Sequence, residues 1–430
     1  MSDFSGIDYV NSFSHSGSPV KDLSRIASLL SGLGDPQDKL RFIHIAGTNG
    51  KGSIAQMLNE SCIDAGLKTG LFTSPFVFRY NDRIKINNAD IPDDKLDRLA
   101  LTIREAVEKS EYKSSFSQFE ITMAIGLLYF AEESCDIVIL EAGLGGLLDC
   151  TNIINKPLAC VIGSVSYDHT QILGETLSEI ATQKAGIIKK GCPCILSSGN
   201  TEEVNIVFRE RCEKMGSELI IPDSGYEIIS CDVTGSEFLY RGVNYHTAMQ
   251  GEHMVRNATA VIECMSRIGE KLGVTSENVK NAIARTQVPA RVQVINREPL
   301  LILDGAHNPD GMKALAQIVR ASGKKRCRAV IGMCRDKNMT AALMEITGCV
   351  DEFYTCDGFT DRAQEAGDLA QIIKDLGAKA QVCRMSALDT ACELMETDPE
   401  ALTLICGSLY LCSQVLSEIS SKGYDFCVTI

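Results

Sequence analysis

Short runs of consecutive apolar residues alternate along the chain with segments whose apolar positions recur at helical spacing. The runs that predict strands lie at 41–46, 136–140, 158–162 and 194–197, and the segments that predict helices lie at 53–65, 94–109 and 119–133. Near-continuous apolar strands joined by helices are typical of a parallel sheet that is covered on both faces. The first part of the chain therefore predicts an α/β fold.

A second series of strand-sized apolar runs begins near residue 299. Its members lie at 300–304, 329–333, 352–355, 380–383 and 402–406. Between the two series, 223–247 has an irregular, β-rich pattern, 255–268 predicts a helix, and 286–291 predicts a hinge. We therefore predict two α/β domains, a larger one over 1–292 with a mostly parallel sheet and a smaller, Rossmann-like one over 293–430.

The balance of charge narrows the class of ligand. The 430 residues include 42 basic and 56 acidic side chains, a formal net charge of −14. This balance argues against a nucleic-acid-binding protein, whose affinity comes mainly from Lys and Arg contacts to phosphates. A local basic pocket can still bind a small anion on an acidic protein.

The cysteine content and the apolar runs bear on the cellular location. The 18 cysteines are scattered singly through apolar stretches, where a free thiol packs as a small apolar side chain. The apolar runs are too short to span a membrane, and the first 20 residues lack the profile of an export signal. We therefore expect a protein of the reducing cytoplasm, without a structural zinc site and without membrane or nucleic-acid partners.

The strongest local signal lies between a predicted strand and a predicted helix. The sequence there is Gly47-Thr48-Asn49-Gly50-Lys51-Gly52-Ser53. Glycines let the backbone N–H groups turn toward an anion, the helix N-terminus adds positive charge, Lys51 can reach phosphates and Ser53 can offer a hydroxyl to Mg²⁺. The spacing differs from G-x-x-x-x-G-K-[ST], so a glycine-rich turn with an exposed lysine is the alternative. The position between strand and helix favours a phosphate-binding loop.

Polar residues also follow three other predicted strands. Glu141 ends a strand before the glycine-rich segment 142–147, and a carboxylate there suits Mg²⁺, although helix capping is equally consistent. Asp168 and His169 follow the strand at 158–162, and Lys184 lies in an apolar helical segment, where a lysine commonly reaches the surface. Asp304 and His307 follow the first strand of the second series, where helix capping by Asn308 is the alternative.

Together and in this order, these segments resemble the folylpolyglutamate synthase/dihydrofolate synthase family of the Mur ligase superfamily, from about residue 5 to the end. The motifs that carry the resemblance are HIAGTNGKGS (44–53), TSP (73–75), DRI (82–84), FE (119–120), EAGLGGLLDCTN (141–152), DHTQILGETLSEIATQKAGIIK (168–189), DGAHNPDG (304–311) and GSLYL (407–411). The resemblance implies an ATP-dependent ligase that adds glutamate to a folate or dihydropteroate carboxylate through an acyl phosphate. It also implies that 1–292 is the ATP-binding, P-loop domain and that 293–430 is the glutamate ligase domain.

The resemblance further implies roles for individual residues. Gly47, Thr48, Asn49, Gly50, Lys51, Gly52, Ser53, Asn257, Arg291 and Asp304 would bind ATP; Ser53, Ser74, Glu141, His169 and Lys184 would hold Mg²⁺; His307 and Ser408 would bind substrate. Lys51, His169, Lys184, Asp304 and His307 would be the catalytic residues. Lys184 matches a position that the family often carbamoylates, and members are commonly monomeric.

Three residues depart from the family pattern, and they concern the acceptor more than ATP. Leu147 stands where arginine is usual, Phe76 where histidine is usual, and Met254 where glutamine is frequent. Two rival functions remain open at this point. A peptidoglycan-precursor ligase of the same superfamily would have a further domain before the phosphate loop, whereas only 46 residues precede Gly47. A P-loop nucleotide-binding protein without ligase activity would not need the Asp304 and His307 cluster.

Overall fold

The computed structural model describes residues 4–14, 21–232, 234–423 and 426. Backbone contacts divide the described residues into two compact units. The first comprises the residues up to Val165, Leu173–Ser224 and Arg256–Ile283; the second comprises Ser166–Ile172, Gly225–Val255 and the residues from Ala284 onward. The predicted domain boundary at 292/293 stays a prediction.

The described strands and helices alternate for most of the chain. The strands are β1 (Phe42–Ala46), β2 (Thr69–Phe72), β3 (Ile84–Ile86), β4 (Ala89–Asp90), β5 (Ile137–Glu141), β6 (Ala159–Ile162), β7 (Cys194–Leu196), β8 (Leu219–Ile220), β9 (Glu227–Asp232), β10 (Gly235–Tyr240), β11 (Val243–Thr247), β12 (Gln293–Asn296), β13 (Leu301–Asp304), β14 (Cys327–Ile331), β15 (Glu352–Thr355), β16 (Ala380–Val382) and β17 (Leu402–Cys406). The helices are α1 (Gly6–Asn11), α2 (Ser24–Gly32), α3 (Lys51–Asp64), α4 (Asp93–Lys109), α5 (Gln118–Glu132), α6 (Thr170–Leu173), α7 (Leu177–Ala185), α8 (Glu202–Met215), α9 (Glu252–Leu272), α10 (Ser276–Arg285), α11 (Pro309–Ala321), α12 (Met339–Ile346), α13 (Ala366–Asp375), α14 (Ala387–Thr397) and α15 (Leu409–Lys422).

The first unit is built on an eight-stranded sheet with the order β4-β3-β2-β5-β1-β6-β7-β8. The pairs from β2 to β8 are parallel, and the two pairs at the other edge, β2 with β3 and β3 with β4, are antiparallel, so that β3 runs opposite to the other strands. All five residues of β1 and all five of β5 are buried. Strands that are buried on both faces read as continuous apolar runs, which is the pattern that predicted this sheet.

The second unit contains two sheets. One is a three-stranded antiparallel sheet of β9 to β11, which accounts for the irregular β pattern at 223–247. The other has the order β12-β13-β17-β14-β15-β16, in which only β12 is antiparallel. A mostly parallel sheet with helices between its strands is the predicted Rossmann-like arrangement. The predicted α/β fold class is therefore confirmed.

Glu120 of the FE motif has a clear structural role in the first unit. With Ser117 it forms a capping box that begins α5, because each side chain accepts from the backbone N–H of the other. Its carboxylate also forms a buried ion pair with Arg25, at 2.7 Å. This contact fixes α5 against α2, so we assign Glu120 to stability rather than to chemistry.

The described cysteines are consistent with packing in a reduced chain. All 17 of them are free thiols, and most are buried. Within the described residues, no helix combines the length and the apolar composition needed to cross a membrane.

Candidate active site

The loop between β1 and α3 is a tight glycine turn. Gly47 and Gly50 have φ angles of +147° and +86°, a region that favours glycine. A Cβ atom on Gly47 would lie 3.0 Å from the backbone nitrogen of Gly163, and one on Gly50 would lie 2.6 Å from Oδ1 of Asn257. The loop therefore needs glycine at both positions, and Asn257 lies directly against it; the predicted contact of Asn257 with ATP stays a prediction.

This loop presents positive charge at the start of α3. Gly50 is the N-cap residue and has no side-chain oxygen to accept from the N–H groups of the first turn. The Lys51 ammonium lies 3.2 Å from the carbonyl oxygens of both Gly47 and Thr48, so it is folded over the loop. A helix N-terminus with a lysine held above it suits a phosphate group.

Glu141 ends β5 beside this loop. It pairs in register with Ile45 of β1 and is only 3% exposed. Its Oε2 lies 3.4 Å from the backbone nitrogen of Ser74 and would lie 3.9 Å from a Cβ atom on Gly52. The structure thus brings together Glu141, Ser74 and the loop that ends in Ser53, and this set of oxygen donors fits a Mg²⁺ ion.

No cluster of three or more His, Cys, Asp and Glu side chains suited to a metal ion occurs in the described ranges. A Mg²⁺ ion that binds together with a nucleotide keeps several waters and takes one or two carboxylates from the protein, with phosphate oxygens of the substrate completing its shell.

Lys184 is buried near the C-terminal end of α7. The helix begins with a capping box of Thr176 and Glu179. Its last turn packs on the glycine-rich segment after Glu141, since the Leu147 N–H donates to the Gln183 carbonyl at 2.7 Å. A Cβ atom on Gly146 would lie 3.0 Å from the Lys184 carbonyl oxygen. The glycine there is therefore required by close packing.

The buried Asp149 holds the glycine-rich segment after Glu141 in place by hydrogen bonds. It accepts hydrogen bonds from the backbone N–H groups of Leu144 and Thr151, at 2.8 and 3.0 Å, and from the Thr151 hydroxyl at 2.6 Å. Burial raises the pKa of Asp149, against these hydrogen bonds. The Thr151 hydroxyl also lies 2.9 Å from Nε2 of His44 on β1. This network ties the loop after β5 to the central strand.

In the second unit, Asp304 lies at the end of β13 with both carboxylate oxygens engaged by the backbone. Oδ2 accepts from the Val292 N–H and Oδ1 from the Ala306 N–H, each at 2.7 Å. Burial raises the pKa of Asp304, and the positive charge of Arg291 opposes this shift. The Arg291 guanidinium also lies within 3.3 Å of the position of a Cβ atom on Gly305. The structure thus brings Arg291 and Asp304 together, and their predicted role in binding ATP stays a prediction.

Asp168 is the centre of a charged cluster in the second unit. Its carboxylate accepts from Lys337 Nζ at 2.8 Å and lies 3.7 Å from His307 Nε2. Burial opposes ionisation, but the neighbouring His307 imidazole and the charge of Lys337 hold the pKa of Asp168 well below its usual range. The structure therefore unites the two histidine motifs that the sequence placed far apart.

His169 faces the same lysine. Its Nε2 lies 3.2 Å from Lys337 Nζ, and burial lowers its pKa to about 4. A neutral imidazole is the form that ligates a metal ion. As a ligand, however, Nε2 must give up its contact with Lys337, so the metal-binding role of His169 stays a prediction.

Ser408 lies just beyond the end of β17, which is next to β13 in the sheet. It is buried and begins α15 as its N-cap residue, accepting from the Tyr410 N–H at 3.2 Å. Its hydroxyl also lies 3.8 Å from the Cys334 sulfur. Its predicted role in substrate binding has a structural alternative in this cap.

Lys337 was not singled out by the sequence. It lies in the polar loop after β14, the strand adjacent to β17, and its side chain is only 11% exposed. The one available signal was its position, because polar residues that follow a parallel strand lie at the edge where such sheets bind ligands.

Comparisons with known proteins identify the family of each part of the chain. The Mur ligase middle domain family matches residues 45–265, and the Mur ligase glutamate ligase domain family matches residues 290–409. The chain is therefore a ligase of the Mur type.

Individual relatives narrow the assignment. A folylpolyglutamate synthase of Lacticaseibacillus casei is 31% identical over 95% of this chain and 96% of its own. A dihydrofolate synthase/folylpolyglutamate synthase of Bacillus subtilis is 30% identical over 91% of this chain and 94% of its own. The chain belongs to the folylpolyglutamate synthase/dihydrofolate synthase family of Mur ligases.

Solved structures show the same likeness in three dimensions. Mycobacterium tuberculosis folylpolyglutamate synthase, solved with ADP and AMPPCP, has a TM-score of 0.85 at 25% identity and matches 94% of this chain and 96% of its own. Escherichia coli FolC, solved with DHPP and ADP, has a TM-score of 0.83 at 25% identity and matches 97% of each chain.

Proposed function

We propose that this protein catalyses the ATP-dependent ligation of L-glutamate to a folate-type carboxylate through an acyl phosphate. One observation carries the proposal: Lys51 is folded over a glycine loop beside the buried Glu141, in a chain that relatives named folylpolyglutamate synthase match almost throughout. Their names, and the nucleotides in the related structures, support ATP and a folate as substrates.

The chemistry explains why ATP is needed. A carboxylate is a poor electrophile, so the γ-phosphoryl group of ATP first converts it to an acyl phosphate. The amine of glutamate then attacks the acyl carbon, and phosphate leaves. Negative charge accumulates during phosphoryl transfer, and preorganised positive charge stabilises it. Lys51 and the N-terminus of α3 supply that charge, while Gly47 to Ser53 hold the phosphates.

Mg²⁺ would be held by Glu141, Ser74 and Ser53, with His169 and Lys184 as further ligands. When bound, it neutralises the phosphate oxygens and so favours transfer to the carboxylate. The carbamoylation of Lys184 is part of this proposal, because it would replace a buried cation by an anion that can bind the metal. A carbonyl signal that appears on Lys184 after incubation with ¹³C-bicarbonate would support the modification.

The second unit would supply the remaining recognition. We propose that Arg291 and Asp304, together with Asn257 of the first unit, bind the nucleotide. His307 and Ser408 would bind glutamate, with Lys337 as a residue that orients Asp168 and His169. In this proposal the protein acts as a monomer in the cytoplasm and accepts both dihydropteroate and reduced folates.

A direct assay tests the function. Purified protein is given ATP, Mg²⁺ and labelled glutamate, with dihydropteroate or a reduced folate offered separately. We expect label in the acceptor and stoichiometric release of ADP that depends on both acceptor and glutamate. Incorporation into neither acceptor would refute the proposal, and ADP release that ignores the acceptor would point to an ATPase without ligase activity.

A further inference from the structure

A small cavity outside the candidate active site is lined by two cysteines. It has a volume of about 140 Å³ and lies in the second unit, beyond the ends of β15 and β16. Cys356 and Cys383 both face into it, together with Asp357 and the first residues of α14. Neither thiol takes part in the proposed ligase reaction, so the inference does not depend on the proposed function.

The two cysteines directly follow adjacent strands and lie at the same level. Thr355 pairs with Val382 in the parallel sheet, and the Cys383 N–H donates to the Thr355 carbonyl at 2.9 Å. Cys356 and Cys383 are the next residues of these two strands. Neighbouring strands are about 4.8 Å apart, and the Cα atoms of a disulfide are about 4.4–6.8 Å apart. The backbone spacing therefore suits a disulfide.

The surroundings make the two sulfurs unequal. Contact with the Cys356 thiol lowers the pKa of Cys383, against burial, which raises it. The same contact and burial raise the pKa of Cys356. Cys383 is half-buried, whereas Cys356 is 8% exposed. Cys383 is thus the more accessible of the two thiols, and Cys356 is the more buried partner.

Two helix starts adjoin the cavity and favour a thiolate there. Ser386 and Ala387 at the start of α14 line it, and a helix N-terminus carries partial positive charge. Asp357 opposes the thiolate, but its carboxylate accepts a hydrogen bond from the Ala366 N–H at the start of α13, at 2.8 Å.

We propose that Cys356 and Cys383 form an oxidisable dithiol site that reacts with hydroperoxides and closes to a disulfide. The Cys383 thiolate attacks the peroxide O–O bond, which gives a sulfenic acid and releases an alkoxide or hydroxide. The Cys356 sulfur then attacks the Cys383 sulfur and loses its proton, and water leaves. The peroxide is reduced by two electrons and the two thiols are oxidised to one disulfide.

Another pair of cysteines provides a control within the same chain. The sulfurs of Cys160 and Cys192 are 3.5 Å apart, but these residues are 0% and 5% exposed. Burial raises the pKa of Cys160 well above its usual value. If proximity alone governed oxidation, this pair would react; if access and thiolate character govern it, the Cys356 and Cys383 pair reacts first.

The test is native oxidation of the full-length protein with hydrogen peroxide, followed by alkylation and peptide mapping. We expect a cross-link between Cys356 and Cys383 that forms at least about tenfold faster than one between Cys160 and Cys192. The half-buried Cys231 and Cys349 serve as single-thiol references. This measurement needs no substitution, so it does not depend on whether a variant folds.

Two variants then separate the steps. In Cys356→Ser, the sulfenic acid on Cys383 should persist and be trapped by dimedone. In Cys383→Ser, Cys356 should resist oxidation. Oxidation of Cys231 or Cys349 as fast as Cys383, an earlier cross-link between Cys160 and Cys192, or loss of the Cys383 thiol without a cross-link to Cys356 would each overturn the proposal.

Discussion

The Lys337 ammonium lies 2.8 Å from Oδ1 of Asp168 and 3.2 Å from Nε2 of His169. One cation therefore orients two neighbouring side chains that the sequence marks as candidate site residues. Asp168 also faces His307, at 3.7 Å, so the carboxylate links residues that follow three different strands. Lys337 and His307 together keep this carboxylate ionised, and Lys337 is the closer of the two.

The first prediction concerns Lys337. We expect Lys337→Met to lower glutamate-dependent ADP release by about 100-fold, because Asp168 and His169 lose the charge that orients them. The loss of one partner of a mostly buried ion pair should also cost on the order of 3 kcal/mol of stability. Steady-state kinetics and urea unfolding measure the two effects separately.

The control for Lys337 is Lys325→Met, since Lys325 is exposed in the turn before β14. This variant should keep both the rate and the stability of the wild-type protein. Lys337→Arg, which keeps the charge, should recover part of the rate. A Lys337→Met protein with wild-type turnover would show that the cluster has no role in the reaction.

The second prediction concerns Lys51. We expect Lys51→Ala to lower ADP release by about 10²–10³-fold, because the loop loses the charge that stabilises the transferred phosphoryl group. Lys68→Ala is a matched control, because Lys68 forms a partly exposed ion pair with Glu133 at 3.0 Å. Stopped-time measurement of ADP release by both variants tests this prediction. Unchanged turnover in Lys51→Ala would show that the loop does not act in the reaction.

Those parts of the site that follow one strand could be predicted from the sequence. Gly47 to Ser53 and Glu141 each come after a continuous apolar run, and such runs form buried parallel strands in this fold. The helix predicted over 255–268 extends over Glu252–Leu272 in the structure. Local periodicity suffices for these elements because apolar spacing along the chain determines which face is buried.

Contacts between distant residues could not be predicted in this way. Lys337 lies 169 residues from Asp168 in the chain, and nothing in its own neighbourhood specifies that partner. No local pattern predicts the contact of Asn257 with Gly50, and the two-residue edge strand β4 is too short to show a period. Tertiary packing, and not the local sequence, determines the two contacts and the edge strand.

The third prediction concerns the metal ion. We expect Glu141→Gln to weaken nucleotide binding by about tenfold in the presence of Mg²⁺ and to leave it nearly unchanged in EDTA, because the amide keeps the shape but loses the charge. Calorimetric titration with ADP under both conditions measures the difference. Glu133→Gln, at a partly exposed ion pair, is the control. Equal loss of affinity with and without Mg²⁺ would indicate a structural role for Glu141 instead.

The fourth prediction concerns the pH dependence of stability and rests on His44. This side chain is completely buried on β1, and burial, helped by the charge of Lys189, lowers its pKa to about 3. An unfolded histidine titrates near pH 6.5. Between these values the unfolded chain binds a proton that the folded chain does not, so stability falls as the pH falls from about 6.5 toward 3.

Urea unfolding of the wild-type protein and of His44→Gln tests this contribution. The measurements are made at pH 6.5, 5.5 and 4.5, a range of about two pH units. We expect the free-energy advantage of the wild type to shrink by up to about 1.4 kcal/mol per pH unit, because glutamine does not titrate. His246→Gln, an exposed position on β11, is the matched control and should follow the wild type. If the wild type and His44→Gln lose stability in parallel over this range, His44 is protonated in the folded protein and the buried neutral imidazole is ruled out.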